Sequence, residues 1–470
     1  MHSTSVLRDR QPHGIDRIMK SPVAVVVLAA GASTRMKSAV PKVLHPLGGW
    51  PMLRHVLESV TQLKPARVVG VIAPGAKAVA AAFAPHPTVV QRRPLGTGDA
   101  VRAALGALEG HEGPVLVVYG DTPLIKTATL RRLIDVCQRE KAAVGVLGFR
   151  TPDPSPYGRL IVQADGLDRI VESRDADESE RRIDFCNSGV MCLQGKLVPT
   201  LLGAIRNANA KGEFYLTDVV AVARAAGHRA IAVEGEEDEF QGVNSRAELA
   251  AAERALQRHL RSAAMEAGVT LIDPETVWLA PDTRLASDVT IEPCVRFGLG
   301  VTVASGAEIK AFCDIEGVRI GKGARIGPFA RIRPGSDVAD DVHIGNFVEL
   351  KATRMGRGAK ANHLAYLGDS DIGAASNIGA GTIAVNYDGY GKHRTVIGSE
   401  AFIGSNSSLV APVRVGKGAN IAAGSVITDD VPPNALALAR ARQVTKRGRA
   451  GPLRAKLKAR AAEAKRTRQK

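Results

Sequence analysis

The first strong pattern along the chain is an unbroken apolar run, Val23-Ala24-Val25-Val26-Val27-Leu28. A β-branched run of this length predicts a strand buried on both faces, as in a parallel sheet. Further apolar runs recur at 68–72, 115–119 and 144–149, with helical spacing between them over 52–62, 99–108 and 129–139. Strands alternating with helices predict βαβ units and a doubly wound α/β sheet. The pattern fades near Asn244. Ser245-Arg246-Ala247-Glu248 follows, a capping box that opens an alanine-rich helix and predicts a rigid connector.

Beyond the connector the period becomes six. Ile320, Ile326, Ile332, Val338, Ile344 and Leu350 form one register, and Ile397, Ile403, Leu409, Val415, Ile421 and Ile427 a second. Neither the helical period of about 3.6 nor the strand period of about 2 produces this. A triangular coil does: each side takes one hexapeptide, points its aliphatic residue inward and turns its corner on small residues. Val289, Val295 and Val301 suggest earlier turns before a register break, and the stretch after Asn244 reads as a few turns short. A polar insertion over 384–395 interrupts the hexad pattern ahead of the second register, and projecting loops of this kind tend to carry function. The expected organisation is an extension over 1–18 (with Met19 a candidate start), an α/β domain over 19–244, a linker helix over 245–268, a coil over 269–442 and a basic tail over 443–470.

Charge changes this picture little. The net charge is +16, but residues 440–470 hold 13 Lys or Arg against Glu463 alone, so the body is near neutral. The tail reads as a solvated, unordered segment, and with no aromatics between its charges it offers no stacking platform for single strands; nucleic-acid binding is not expected. The five cysteines show no CxxC spacing and predict reduced, mostly buried thiols of a cytoplasmic protein. No apolar run approaches the ~18 residues of a membrane span.

The strand 23–28 runs into Ala29-Ala30-Gly31-Ala32-Ser33-Thr34-Arg35, with Lys42 beyond. Small residues let backbone N–H groups approach polyphosphate, and two cations offset its charge. The loop is neither GxxxxGK[ST] nor GxGxxG, and alone it is equally an ordinary βα turn. Gly96-Thr97-Gly98 opens a helix in the same way. Asp121 follows a buried strand, where a carboxylate is either a Mg²⁺ ligand at the sheet's carboxyl edge or a helix cap. In the coil, His363 stands among Asn, Lys, Arg and Tyr residues with no packing role, which favours a general base over a structural histidine.

Together these residues resemble the sugar-nucleotidyltransferases. Ala29-Ala30-Gly31 with Met36 and Pro41-Lys42-Val43-Leu44 matches that family's opening signature, and Leu95-Gly96-Thr97-Gly98, Tyr119-Gly120-Asp121, Tyr157-Gly158-Arg159, Glu172, Asn187-Ser188-Gly189 and Gly242-Val243-Asn244 continue it. With Arg333-Pro334-Gly335, Asn346–Lys351, Asn362–Asp369 and 377–386, the chain resembles the bifunctional bacterial N-acetylglucosamine-1-phosphate uridylyltransferase / glucosamine-1-phosphate N-acetyltransferase family from about Met19 to Arg442. The resemblance implies a Rossmann-like nucleotidyltransferase domain followed by a left-handed parallel β-helix of hexapeptide repeats.

The resemblance also implies roles. Arg35 and Lys42 would neutralise phosphates, and Asp121 with Asn244 would hold Mg²⁺. Leu28, Ala29, Ala30, Gly31, Gln91, Gly96, Thr97, Tyr119 and Gly120 would contact UTP. Gly158, Glu172 and Asn187 would bind the sugar. In the coil, His363 would deprotonate the sugar amine, oriented by Glu349, with Asn386 polarising the carbonyl or stabilising the oxyanion. Arg333 and Lys351 would hold the sugar phosphate, and Tyr366, Asn377 and Lys392 would complete that site. Ala380, Asn386, Tyr387, Ser405, Ala423 and Arg440 would line the acetyl-CoA groove. A homotrimer formed through the coil is also implied. Arg92-Arg93-Pro94 departs from the family's polar stretch before Leu95 and puts base contacts there in question. The rivals are a single-function pyrophosphorylase whose coil only assembles or regulates it, and a non-catalytic exchange-factor subunit of the same folds.

Overall fold

The computed structural model describes residues 22–31, 34–209 and 211–467. The expected extension and start at Met19, with Ala32 and Ser33 of the loop, lie outside them. The chain divides into two units, Met1–Glu266 with Trp278–Thr283, and Ala267–Val277 with Arg284–Lys470.

The first unit is Rossmann-like. The strands of its main sheet are β1 (Ala24–Ala29), β2 (Arg67–Ile72), β3 (Thr88–Val90), β4 (Pro114–Tyr119), β5 (Val144–Arg150), β6 (Arg159–Gln163), β7 (Gly166–Val171), β8 (Phe185–Gln194) and β9 (Ala230–Glu234). They form one sheet in the order β9-β5-β8-β4-β1-β2-β3, with β6 and β7 paired as an antiparallel hairpin beside β8. Val23–Val27 are fully buried, as an apolar run covered on both faces requires. Helices α1 (Met52–Thr61), α2 (Lys77–Ala82), α3 (Thr97–Ala103), α4 (Thr127–Arg139), α5 (Val198–Ala204) and α6 (Val219–Ala225) accompany the sheet. Strand β8 runs antiparallel to both β4 and β5, a reversal the apolar runs do not announce.

Helix α7 (Arg246–Glu266) opens on the expected capping box. Ser245 N–H donates to Glu248 Oε2 at 2.9 Å and Glu248 N–H to Ser245 Oγ at 3.2 Å. It is more than a connector: Ala252, Ala255 and Leu256 pack with Leu47, Met52, Leu124 and Val243 in one buried cluster. The cap thereby fixes Asn244 at the edge of the first unit.

The second unit is a left-handed parallel β-helix with three parallel sheets of ten, eight and eight strands. All twelve residues of the two hexad registers point inward, none more than 4% exposed. Ile326 pairs with Ile344, and Ile332 with Leu350, so three hexapeptides make one turn. The early coil corrects the expectation of missing turns. Its inward column is Leu285, Ile291, Phe297, Val303, Ile309 and Ile315, paired turn on turn with the rest. Val289, Val295 and Val301 are buried too, but each lies two residues ahead of that column. Two buried apolar positions per hexad obscure the register in the sequence.

The tail also differs from expectation. Ala450–Thr467 forms α8, and its residues through 464 are exposed. Alanine, leucine, lysine and arginine are strong helix formers, so propensity carries this helix without a core face. The five cysteines are free, four of them buried.

Candidate active sites

The carboxyl ends of β1 and β4 lie side by side, with Leu28 paired to Tyr119 and Gly120 N–H donating to Leu28 O at 2.9 Å. Ligands of open α/β sheets bind at this edge. A cavity of about 310 Å³ opens there. Leu28, Ala29, Ala30, Gly31, Lys42, Gln91, Gly96, Thr97, Tyr119 and Asp121 all line it. Arg35 stands exposed on the short 3-10 turn Thr34–Met36 and is outside the lining.

Lys42, Asp121 and Asn244, 202 residues apart at the extremes, meet at one point. The Lys42 ammonium donates to Asp121 Oδ2 and, at 2.8 Å, to Asn244 Oδ1. A carboxylate oxygen and an amide oxygen therefore converge on one positive charge. That donor set suits a hard divalent cation such as Mg²⁺. Asn244 is held by its own N–H, which donates to Glu248 Oε2 at 2.5 Å.

The far side of the cavity is shaped by glycine. Gly96 has φ +106°, and a Cβ there would lie 2.6 Å from Phe214 O. Thr97 Oγ1 accepts Leu216 N–H at 3.0 Å. Gln91 is buried and its amide donates to Gly96 O at 3.0 Å and Asp99 Oδ2 at 2.9 Å. Arg92 and Arg93 are exposed, so the departure there leaves the lining to Gln91 and Pro94. Gly158, Glu172 and Asn187 come together beside Tyr119. Asn187 N–H donates to Gly158 O at 2.8 Å, and Asn187 Oδ1 accepts Gly189 N–H at 2.9 Å, with the Tyr119 ring packed over Gly189. Glu172 accepts the Thr217 hydroxyl at 3.2 Å. Burial raises the Glu172 carboxyl above its ordinary range and pushes the Tyr119 phenol up as well.

On the coil, Asn346, Glu349 and Lys351 of one turn stack on His363, Tyr366 and Gly368 of the next. His363 Nδ1 meets Asn346 Oδ1 at 2.6 Å. An amide oxygen only accepts, so Nδ1 is the donor of this pair and Nε2 is the nitrogen turned away from it. Asn346 is thus the hydrogen-bond partner of His363 Nδ1. Glu349 instead accepts from Arg333 at 3.0 Å. Lys351 approaches Asp369 at 3.4 Å, and the same carboxylate accepts Asn386 Nδ2 at 2.5 Å. Lys392 is held below the usual ammonium range, chiefly by Lys351 beside it, with Arg333 adding to the effect. Crowded cations of this kind suit a phosphate.

Ala380, Ser405 and Ala423 each lie two residues past Ile378, Ile403 and Ile421, which pair in successive turns, so they form one column. Arg440 joins its end by donating to Ala423 O at 2.7 Å. Asn377 pairs with Lys360 in the turn before and Phe402 in the turn after. Tyr387 is exposed on the inserted loop, its hydroxyl donating to Gly389 O at 2.6 Å.

Comparison with known proteins fits both halves. Residues 25–185 match the MobA-like NTP transferase domain, and residues 317–352 and 394–429 match the bacterial transferase hexapeptide (six repeats). The bifunctional protein GlmU of Paramagnetospirillum magneticum is 53% identical over 444 residues, covering 94% of this chain and 99% of that protein. That of Azorhizobium caulinodans is 55% identical over 435 residues, covering 92% and 97%. The chain belongs to the bifunctional GlmU family. It is a bifunctional transferase of UDP-N-acetylglucosamine synthesis, a uridylyltransferase and an acetyltransferase in one chain.

In this GlmU family member, sequence reasoning missed Asn346, Asp369 and Asp99. All three act on other polar side chains, and only register or side-chain geometry reveals them. Gly368 was also missed as a position of consequence. A Cβ there would lie 2.5 Å from the Tyr366 hydroxyl and 2.6 Å from Asn386 Nδ2. Gly368→Ala should lower acetyl transfer by about a hundredfold, the order expected of a ~1 Å misplacement, and leave uridylyl transfer unchanged. Separate assays of CoA and pyrophosphate release on the purified variant check this.

Proposed function

We propose that the α/β unit transfers a uridylyl group from UTP to N-acetylglucosamine-1-phosphate, releasing pyrophosphate, at the Lys42–Asp121–Asn244 cluster. The coil supplies the acceptor by moving an acetyl group from acetyl-CoA to glucosamine-1-phosphate. The observation that carries the reading is the pairing of His363 with Asn346, on a stretch of coil that also bears Arg333 one turn earlier, Lys351 on the Asn346 turn and Lys392 on the inserted loop. A free imidazole lone pair near a phosphate-binding group suits an amine presented by a sugar phosphate. A coil kept only for assembly needs neither.

In acetyl transfer, His363 Nε2 takes the proton from the attacking amine. Arg333, Lys351 and Lys392 hold the sugar phosphate, and Tyr366 and Asn377 complete the sugar site. The Asn386 amide, backed by Asp369, lies toward the developing oxyanion. The small-residue column Ala380, Ser405 and Ala423 leaves room for acetyl-CoA, with Arg440 at its end and Asn386 and Tyr387 of the inserted loop as further contacts. Glu349 acts by positioning Arg333.

In uridylyl transfer, Arg35 and Lys42 offset the triphosphate charge, Gly31 and its neighbours present backbone donors, and Gln91 with Gly96 and Thr97 reads the base. Gly158, Glu172 and Asn187 hold the sugar. Asp121 and Asn244 would hold Mg²⁺, which supplies positive charge to the phosphates when bound.

The reading extends to a homotrimer formed through the coil, supported by a stacked ladder of exposed rings. Phe312 lies 4.8 Å from Phe329, and Phe329 lies 5.2 Å from Phe347. Light scattering should return three times the 49.5 kDa chain mass; a single-chain mass would overturn it. Among the described residues no helix is long and apolar enough to cross a membrane. Free cysteines support a cytoplasmic location.

The test supplies glucosamine-1-phosphate, acetyl-CoA, UTP and Mg²⁺ and follows free CoA thiol and pyrophosphate separately. Both should appear, and a chelator should stop pyrophosphate while CoA release continues. Pyrophosphate from supplied N-acetylglucosamine-1-phosphate, with no CoA from glucosamine-1-phosphate, would sink the two-activity reading.

A further inference from the structure

Gln91 lines the nucleotide cavity from its buried position after β3, with its backbone N–H bound to Ile72 O at 2.9 Å. Its Nε2 donates to two acceptors, Gly96 O at 3.0 Å and Asp99 Oδ2 at 2.9 Å. A primary amide has two N–H donors, so both are spent. Neither acceptor can donate in return, because one is a peptide carbonyl and the other a carboxylate. Turning the amide over would set its oxygen against two oxygens. What Gln91 has left to offer a ligand is therefore Oε1, an acceptor.

We propose that Asp99 is a positioning residue that sets nucleobase specificity by holding the Gln91 amide in this orientation. A fixed acceptor selects a base with an N–H donor on its pairing edge, as uracil has at N3. It rejects cytosine, whose N3 carries a lone pair. Asp99 touches no substrate in this role. It stands in the first turn of α3, where the helix amino terminus favours a negative charge. Gly96 O alone would hold one hydrogen of the amide, but it also accepts Ala100 N–H at 3.1 Å. The second anchor falls to the carboxylate. The inference rests on the reading that Gln91 meets the base.

The experiment measures kcat/KM for UTP and for CTP on the full chain carrying Asp99→Ala or Gln91→Ala. Acetyl transfer and the KM for N-acetylglucosamine-1-phosphate are followed on the same preparations. Both variants should lower the UTP-to-CTP preference by about tenfold or more, the size of a ~1.4 kcal/mol change in discrimination. Acetyl transfer and the sugar-phosphate KM should hold. A merely structural Asp99 would depress both nucleotides alike and leave the ratio unmoved. If Gln91→Ala lowers the ratio and Asp99→Ala does not, the role of Asp99 is overturned while the base site stands. If Gln91→Ala leaves the ratio unchanged, the base does not meet Gln91, and the inference falls with that reading.

Discussion

His363→Ala should reduce acetyl transfer by about 10²–10⁴-fold, the contribution of a positioned general base. Uridylyl transfer in the same preparation should stay at the wild-type level. The side chain is exposed at the end of its strand, while the neighbouring inward position, Ala361, fills the core. Deleting the imidazole therefore opens no cavity, and surface changes of this kind cost within about 0.5 kcal/mol. The loss would be chemical. Asn346→Ala should show a smaller loss, because it frees the tautomer without removing the base. Steady-state release of CoA thiol and pyrophosphate on each variant checks both statements. Loss of uridylyl transfer in folded His363→Ala would contradict the separation of the two sites.

Asp121→Ala should do the reverse. The Lys42 ammonium would keep Asn244 Oδ1 and lose its carboxylate, and the cluster would lose its only formal negative charge. Mg²⁺ affinity and phosphate positioning should both fall, and uridylyl transfer should drop by at least about a hundredfold, the order seen when one stabilising group is removed from a charge-developing site. Acetyl transfer should be untouched. Excess Mg²⁺ should recover part of the loss if binding is the main defect, which a Mg²⁺ titration of pyrophosphate release would read. Equal loss of both activities in a folded Asp121→Ala protein would contradict the assignment.

Much of this was legible in the chain. The run at Val23–Leu28 announced a doubly buried strand, and period six announced the coil, because each is imposed by burial of every repeated position. The cavity residues from Leu28 to Asp121 came from the resemblance; spacing alone offered only the loop at Gly31, the turn at Gly96 and the strand end at Asp121, each with an ordinary structural alternative. Lys42 was expected among phosphates, but its meeting with Asp121 and Asn244 depends on a fold that brings position 244 back to the first loop. The role of Glu349 was implied by the resemblance alone, and the pairing of turns sets Asn346 beside His363 and Glu349 beside Tyr366. The early coil was misread because two apolar residues in each hexad are buried. The tail is exposed, as its charge indicated, but its helix went unread because helix propensity was not weighed.

The most direct test of two independent sites in one chain mixes the two variants. His363→Ala and Asp121→Ala would each be given glucosamine-1-phosphate, acetyl-CoA, UTP and Mg²⁺, first alone and then together, and UDP-N-acetylglucosamine would be measured. Each alone should form almost none. The mixture should form it readily, since the Asp121→Ala protein supplies acetylated sugar phosphate to the intact uridylyl site of the other. A mixture as inactive as its parts, with both proteins folded, would contradict the account.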